Sequence, residues 1–301
     1  MSEAVILVGH GSRDPEGVEE FRQFAVQFHQ AVGVDMVEAC FLEFADPAIL
    51  DLIERCVHKG ATQVTVLPLF LVPAGHQKND VPAAVQLARL LHPAVTFRYG
   101  APLGVDARLL NVLDERVGEV ERQAPAHNRE ETAVLLVGRG SSDPDGNSDV
   151  CKIGRLLWEG RGYGWVEVCF VSLARPFVPE GIARCVKLGA KRVIVVPYFL
   201  FTGILVKRIV EQTQAEQQHF PEVELLNAPH LGGHAQILAV LQQRFWEAVG
   251  GRVYMNCDVC KYRVALPGFT HQVGQPQTSD HHHGLRSAHH HHGHGHGHSH
   301  S

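Results

Sequence analysis

Apolar positions along the first third of the chain switch between two periods. Residues 4–8 (AVILV) form an unbroken apolar run closed by Gly9, the pattern of a strand buried on both faces of a parallel sheet. After Asp14 and Pro15 the spacing becomes helical, with Val18, Phe21, Ala25 and Phe28 on one face. Residues 35–41 return to a strand pattern. Ile49, Leu50, Ile53, Cys56 and Val57 then outline a second helix, which Asp46-Pro47 is placed to start as an N-cap followed by proline. "VTVLPLFLV" at 64–72 predicts a third strand with Pro68 near its end. Residues 83–91 predict a helix and 95–99 a fourth strand, and Leu109, Leu110, Leu113 and Val117 define a closing helix. Strands separated by helices imply right-handed crossovers and a parallel sheet.

The pattern is written twice. "VGHGSRDP" at residues 8–15 returns as "VGRGSSDP" at 137–144, and the same shift of 129 carries Cys40-Phe41 onto Cys169-Phe170. It also carries Arg55-Cys56-Val57 onto Arg184-Cys185-Val186, and "PLFL" at 68–71 onto "PYFL" at 197–200. Farther on the register slips, with "APLG" at 101–104 answering "APHLG" at 228–232. A constant offset over so many positions marks an internal duplication. The fold class expected is therefore α/β: two tandem doubly wound, flavodoxin-like parallel-sheet domains over 1–122 and 133–250. The polar, proline-bearing stretch at 121–132 serves as the linker between them.

Composition narrows the function classes. The chain has 301 residues, 45% of them hydrophobic, and a net charge of −5, which supplies no basic face for nucleic acid. No stretch resembles a signal peptide or a membrane span, so a cytoplasmic protein is expected. Seven cysteines make no disulfide framework in a chain this long. Cys40, Cys56, Cys169 and Cys185 lie among apolar residues and read as core. Of 21 histidines, 12 lie at or beyond His271, which marks a compositional boundary.

Ligands of open parallel sheets bind beyond the carboxyl ends of the strands. His10 follows strand one, Glu43 follows strand two, and His76 sits in "VPAGHQKND" after strand three. Two imidazoles and a carboxylate suit a divalent ion such as Zn, Co, Fe or Ni, and three protein ligands leave positions open for exchange. Other readings stand beside this one: a loop histidine is commonly a hydrogen-bonded structural residue, and the Gly-His-Gly-Ser loop could instead cradle an anion. The duplicate weighs between them. At the same offset His10 becomes Arg139, Glu43 becomes Ser172 and His76 becomes Leu205. The surrounding scaffold persists while all three metal-competent groups vanish together, as expected of one shared site kept in a single copy. A metal-storage or metallochaperone role, or a phosphohydrolase using His10, are the competing functions; the latter has too few cations around His10 for a phosphate pocket.

"VGHGSRDP", "FLEFADPAI", "LPLFLVPAGHQKNDVP", "VPYFLFTGILVKRI" and "MNCDVCKYR" together resemble the sirohydrochlorin chelatase family, specifically its long-form CbiX cobaltochelatases. The resemblance covers essentially the whole chain. It implies a class II chelatase fold with a carboxylate-rich tetrapyrrole between two lobes, and an enzyme inserting Co²⁺, with Fe²⁺ or Ni²⁺ as further candidate metals. Cobalt points to cobalamin synthesis and iron to sirohaem. By the same resemblance His10, His76 and Glu43 are metal and catalytic residues. Ser12, Arg13, Lys78, Arg139, Lys207 and Arg208 are candidates to hold the substrate's carboxylates. Arg139 in particular reads as a metal ligand's position converted to a grip on carboxylates.

The C-terminal end lies outside both repeats. Cys257 and Cys260, in the segment 251–268, form a Cys-x-x-Cys that can chelate zinc, act as a redox pair or hold an iron–sulfur cluster. The resemblance favours the cluster, which two thiolates cannot complete, so a homodimer or a further ligand such as Cys151 is expected to finish it. The tail at 269–301 is nearly free of apolar residues, reads as disordered, and is suited to gathering divalent metal ions on its histidines.

Overall fold

The computed structural model describes residues 2–255, 260–263, 265 and 270–275. Strands β1 (Ser2–Gly9), β2 (Met36–Phe41), β3 (Ala61–Pro68) and β4 (Thr96–Tyr99) form one parallel sheet in the order β2-β1-β3-β4. Strands β5 (Thr132–Gly138), β6 (Trp165–Phe170), β7 (Arg192–Pro197) and β8 (Glu224–Asn227) repeat that order as β6-β5-β7-β8. Helices α1 (Pro15–Val32), α2 (Ile49–His58), α3 (Val81–Leu91) and α4 (Ala107–Gln123) belong to the first repeat, and α5 (Pro144–Trp158), α6 (Val178–Lys187), α7 (Ile204–His219) and α8 (Ala235–Val249) to the second. The expected pair of doubly wound sheets is what the chain builds. Among the described residues no helix is long and apolar enough to cross a membrane.

The continuous apolar run of β1 is explained by helices on both faces. Ala4, Ile6 and Val8 pack outward against Ile49 and Ile53 of α2 and Val81 and Ala88 of α3. Val5 and Leu7 point inward, into a core shared with Val134 and Leu136 of the other sheet. The second lobe has the matching outer core beneath α6 and α7.

The inner layer departs from simple tandem packing. Helix α4, written at the end of the first repeat, packs against β7 and α5 of the second; α8, at the end of the second, packs against β3, β4 and α1 of the first. Each lobe's sheet is thus closed by the other lobe's last helix. One arginine per helix fastens the exchange. Arg116 of α4 donates to the Gly232 carbonyl at 2.8 Å, and Arg244 of α8 donates to the carbonyls of Leu103 at 2.8 Å and Pro102 at 3.0 Å. Phe28 of α1 meets Phe245 of α8 edge-to-face at 6.2 Å, both fully buried, each worth about 1.5–3 kcal/mol of transfer free energy. Repeat boundaries in the sequence and packing units in space therefore differ.

Three local expectations change. The third strand ends at Pro68, because Leu69–Val72 turn away to wall the cavity between the lobes, which is why they are apolar. Asp46 does not cap α2; Ala48 occupies the N-cap with no side-chain hydrogen bond, and Pro47 lies outside the helix. The linker shortens to 124–131, since α4 runs to Gln123 and a 3₁₀ turn at Arg129–Glu131 leads into β5. Residues Thr270–Gln272 form a 3₁₀ turn followed by 273–275, and residues 269 and 276–301 of the expected His-rich tail lie outside the described residues.

Candidate metal centre

The three metal-competent residues are carried by the ends of neighbouring strands. The loop after β1 must lie flat on the loop after β2: the amide of Leu42 donates to the Gly9 carbonyl, and that of Glu43 to the His10 carbonyl at 2.9 Å. Gly11, at φ +91°, makes this possible; a Cβ there would stand 1.7 Å from the Glu43 carbonyl oxygen. The second lobe repeats the arrangement, with Gly140 at φ +86° over the Ser172 carbonyl. Backbone need accounts for Gly11 and Gly140, and crowding by the rings of Phe21 and Phe170 for Gly9 and Gly138, which leaves the residue between each pair free to differ.

His76 opens a single π-helical turn, His76–Asp80, that leads into α3. Such turns recur at functional sites because the widened spacing redirects side chains. Tyr99 Oη donates to the Gln77 carbonyl at 2.6 Å and helps hold the turn. Nδ1 of His76 stands 2.8 Å from Asp80 Oδ2, and a carboxylate only accepts, so the proton sits on Nδ1 and Nε2 carries a lone pair. Nε2 lies 3.9 Å from Glu43 Oε1, and both side chains are largely buried. The His10 ring meets that of His76 edge-to-face at 4.7 Å. One ligand atom from each of His10, Glu43 and His76 falls within 4.8 Å of the others, and among the described residues no other group of three or more such ligands forms. Two imidazole nitrogens and one oxygen within this span can close on a divalent ion, with the remaining positions open toward the cleft.

His10 has a second neighbour. Its Nδ1 donates to the Gly11 carbonyl at 3.3 Å, so Nε2 is the acceptor, and Arg139 Nη2 donates to it at 3.0 Å. The pseudo-two-fold between the lobes explains the contact, since residues near such an axis face their own counterparts. Arg139 is exposed within the cleft, yet the surrounding walls strip away enough bulk water to push its pKa down, while the Glu43 carboxylate pushes the other way.

Between the lobes lies a cavity of about 470 Å³. Its walls include His10, His76, Ser12, Arg13, Arg139 and Phe44. The Arg13 guanidinium stacks on the half-exposed Phe44 ring at 4.8 Å, at the rim beside His10. The other cationic candidates are elsewhere. Lys78 is buried and spans the lobes, donating to Asp145 Oδ2 at 2.7 Å and standing 3.0 Å from Asp143 Oδ2. Lys207, its counterpart by the repeat, contacts Asp14 and Glu16 at 2.7 Å each. Neither lysine, nor Arg208, is among the residues lining the cavity, so their expected contact with substrate carboxylates is replaced by interlobe ion pairing for Lys78 and Lys207.

Two further residues shape the site, Asp80 and Phe44. Asp80 orients His76, and a carboxylate four residues beyond a histidine on a helical turn is the pattern that identifies it. Phe44 adopts φ +62°, a left-handed conformation that its residue type does not announce. Asp80→Ala is expected to weaken Co²⁺ binding about 10–100-fold with the fold intact. Equilibrium dialysis checks this, with the binding of an otherwise identical H76A chain subtracted so that the C-terminal histidines cancel. Unchanged affinity would remove Asp80 from the site.

The cysteines divide as the sequence suggests. Cys40, Cys56, Cys169 and Cys185 are buried, and desolvation pushes the Cys56 thiol up to about 11, so it is inert at neutral pH. Cys260 is buried and Cys151 exposed; Cys257 lies outside the described residues. The segment before Cys257 touches the metal loop, with Gln77 Nε2 donating to Met255 Sδ at 3.7 Å.

The chain is similar to known proteins over both repeats. The CbiX family model matches residues 4–120 and 133–248. A sirohydrochlorin cobaltochelatase of Priestia megaterium is 44% identical over 87% of this chain and 85% of its own length. A sirohydrochlorin ferrochelatase of the same organism is 37% identical over 80% of this chain and 89% of its own. Among solved structures, SirB from Bacillus subtilis with Fe³⁺ aligns at a TM-score of 0.72 with 32% identity, covering 83% of this chain and 97% of SirB.

Proposed function

The chain belongs to the CbiX family, and on that premise we propose that it is a sirohydrochlorin cobaltochelatase, inserting Co²⁺ into the tetrapyrrole. The observation that carries the reading is the one-sided metal site. His10 and His76 line a two-lobed cavity with Glu43 beside them, while the second lobe places Arg139, Ser172 and Leu205 at the matching positions. A metal-storage protein would have no use for that cavity.

In this reading the metal is a substrate. His10 and His76 bind it through imidazole nitrogens that carry lone pairs. Glu43 adds a negative charge that favours the dication. Insertion releases two pyrrolic protons from the macrocycle as the metal–nitrogen bonds form, and His10, His76 and Glu43 are the bases within reach to accept them. Holding ion and ring in one cleft replaces a bimolecular encounter by a fixed approach. Ser12, Arg13 and Arg139 on the cavity wall hold the ring's carboxylates, Arg in bidentate fashion.

Mixing the protein anaerobically with sirohydrochlorin and either Co²⁺ or Fe²⁺, and following the macrocycle's visible absorption, tests the proposal. Faster conversion with Co²⁺ is expected. A preference for Fe²⁺, the metal of the ferrochelatase relatives, would move the chain to sirohaem synthesis, and no conversion with either ion would remove the reading. The remaining assignments belong to the same proposal and rest on the sequence. They are a cytoplasmic location, an iron–sulfur cluster at Cys257 and Cys260 completed across a homodimer or by a further ligand such as Cys151, and a His-rich tail that gathers divalent ions.

A further inference from the structure

We propose that Arg139 gates the metal site: its guanidinium occupies the metal-binding nitrogen of His10 until the carboxylates of an anionic macrocycle draw it away. The inference rests on the reading above for the identity of the macrocycle, but not for the contact itself. Three observations lead to it. Arg139 Nη2 donates to His10 Nε2 at 3.0 Å, and with Nδ1 donating to the Gly11 carbonyl it is Nε2 that carries the lone pair a metal would take. Second, the ligand set is slightly open: His76 Nε2 and Glu43 Oε1 stand 3.9 Å apart, whereas tetrahedral ligands about 2.1 Å from an ion lie about 3.4 Å from each other. Third, Arg139 lines the cavity wall beside His10 and feels the Glu43 carboxylate, so the guanidinium lies where an arriving anionic ligand can reach it.

A dication and a guanidinium cannot share His10 Nε2. Metal binding must release Arg139, and whatever stabilises the released position strengthens metal binding by the same factor. The candidates on the page for that stabilisation are the carboxylates of the ligand the cavity takes, which a guanidinium engages in pairs. The site then binds Co²⁺ weakly while the cleft is vacant and more tightly when the ring is present, so that capture of the ion is coupled to the presence of its acceptor. The second lobe's arginine is therefore a moving part of the first lobe's site.

The test is Co²⁺ binding to the full chain by equilibrium dialysis, with the matching H76A chain subtracted at each concentration. Arg139→Met is expected to bind Co²⁺ on the order of tenfold tighter than wild type, because the competing donor is gone. It is also expected to show a raised KM for sirohydrochlorin, because a carboxylate partner is gone. Arg139→Lys, which keeps the charge but not the paired donors, should fall between. An arginine that merely props the loop would weaken Co²⁺ binding when removed, and either that result or an unchanged affinity overturns the gate. The two readings fail separately. If wild type inserts no metal into sirohydrochlorin, the chelatase reading falls while the Co²⁺ titration still decides the gate.

Discussion

His76→Ala is expected to lower metal insertion about 10²–10⁴-fold while leaving the fold intact, and His10→Ala to do the same. The size follows from the loss of two roles at once. Removing either imidazole leaves one nitrogen and the Glu43 oxygen, a pair too few to hold an exchangeable ion against water, and it removes a base beside the ring nitrogens. His76 is the more informative of the two, because Asp80 and the π-turn are built around it and because Gln77, next to it, is held independently by Tyr99. Initial rates with sirohydrochlorin and Co²⁺, with circular dichroism as the fold control, decide the outcome. Turnover near wild type in both variants would take the metal site out of the cleft.

Lys78→Met should be the most destabilising single change among the charged residues, by about 3–5 kcal/mol, or a fall in Tm on the order of 10 °C for a chain of this size. The reason is what the lysine leaves behind. Asp143 is fully buried and Asp145 nearly so, and a buried ion pair broken on one side strands the other charge in a medium that cannot solvate it. Asp143 also caps α5, accepting from the Asp145 amide at 3.2 Å, so it cannot swing out to water without losing the cap. The counterpart Lys207→Met removes the same contact by symmetry, yet Lys207 is 50% exposed and a much smaller shift is expected. Burial works against the Lys78 ammonium, but the two carboxylates outweigh it and hold its pKa above the ordinary 10.5. A raised folded-state value means that the stabilisation is fully present below 10.5 and is lost as pH rises through the higher value. The difference in Tm between wild type and K78M should therefore persist across neutral pH and shrink only in strong alkali. Equal losses for K78M and K207M would show that burial does not govern the pair.

Both halves of the site were legible for the same reason: the duplication keeps its loop lengths. A constant offset of 129 lets each loop be compared with its twin, and the joint change of His10, Glu43 and His76 singles them out without any geometry. The sheet order follows from apolar runs and crossovers, which local patterning records well. What the pattern could not record is which partner an apolar face meets. Helices α4 and α8 have ordinary amphipathic faces, and nothing in those faces says that each closes the other lobe's sheet. The ion pair of Lys78 was hidden for a related reason, since its partners Asp143 and Asp145 lie in the other repeat and only the assembled lobes bring them together. Residues 69–72 misled because the wall of an apolar cavity and a buried strand look alike in one dimension. The contact of Arg139 with His10 was within reach: residues on a pseudo-two-fold axis meet their own repeats, and the octapeptides had already paired them.

A duplicated fold that keeps its metal site in one lobe only should bind a single ion in the cleft, and anomalous diffraction from crystals soaked in Co²⁺ locates each ion without reference to activity. One strong peak is predicted in the cavity, between His10 Nε2, His76 Nε2 and Glu43, with Arg139 displaced from His10 and no peak beside Arg139, Ser172 and Leu205 in the matching position. Equal peaks in both lobes, or none near His10 and His76, would contradict the account.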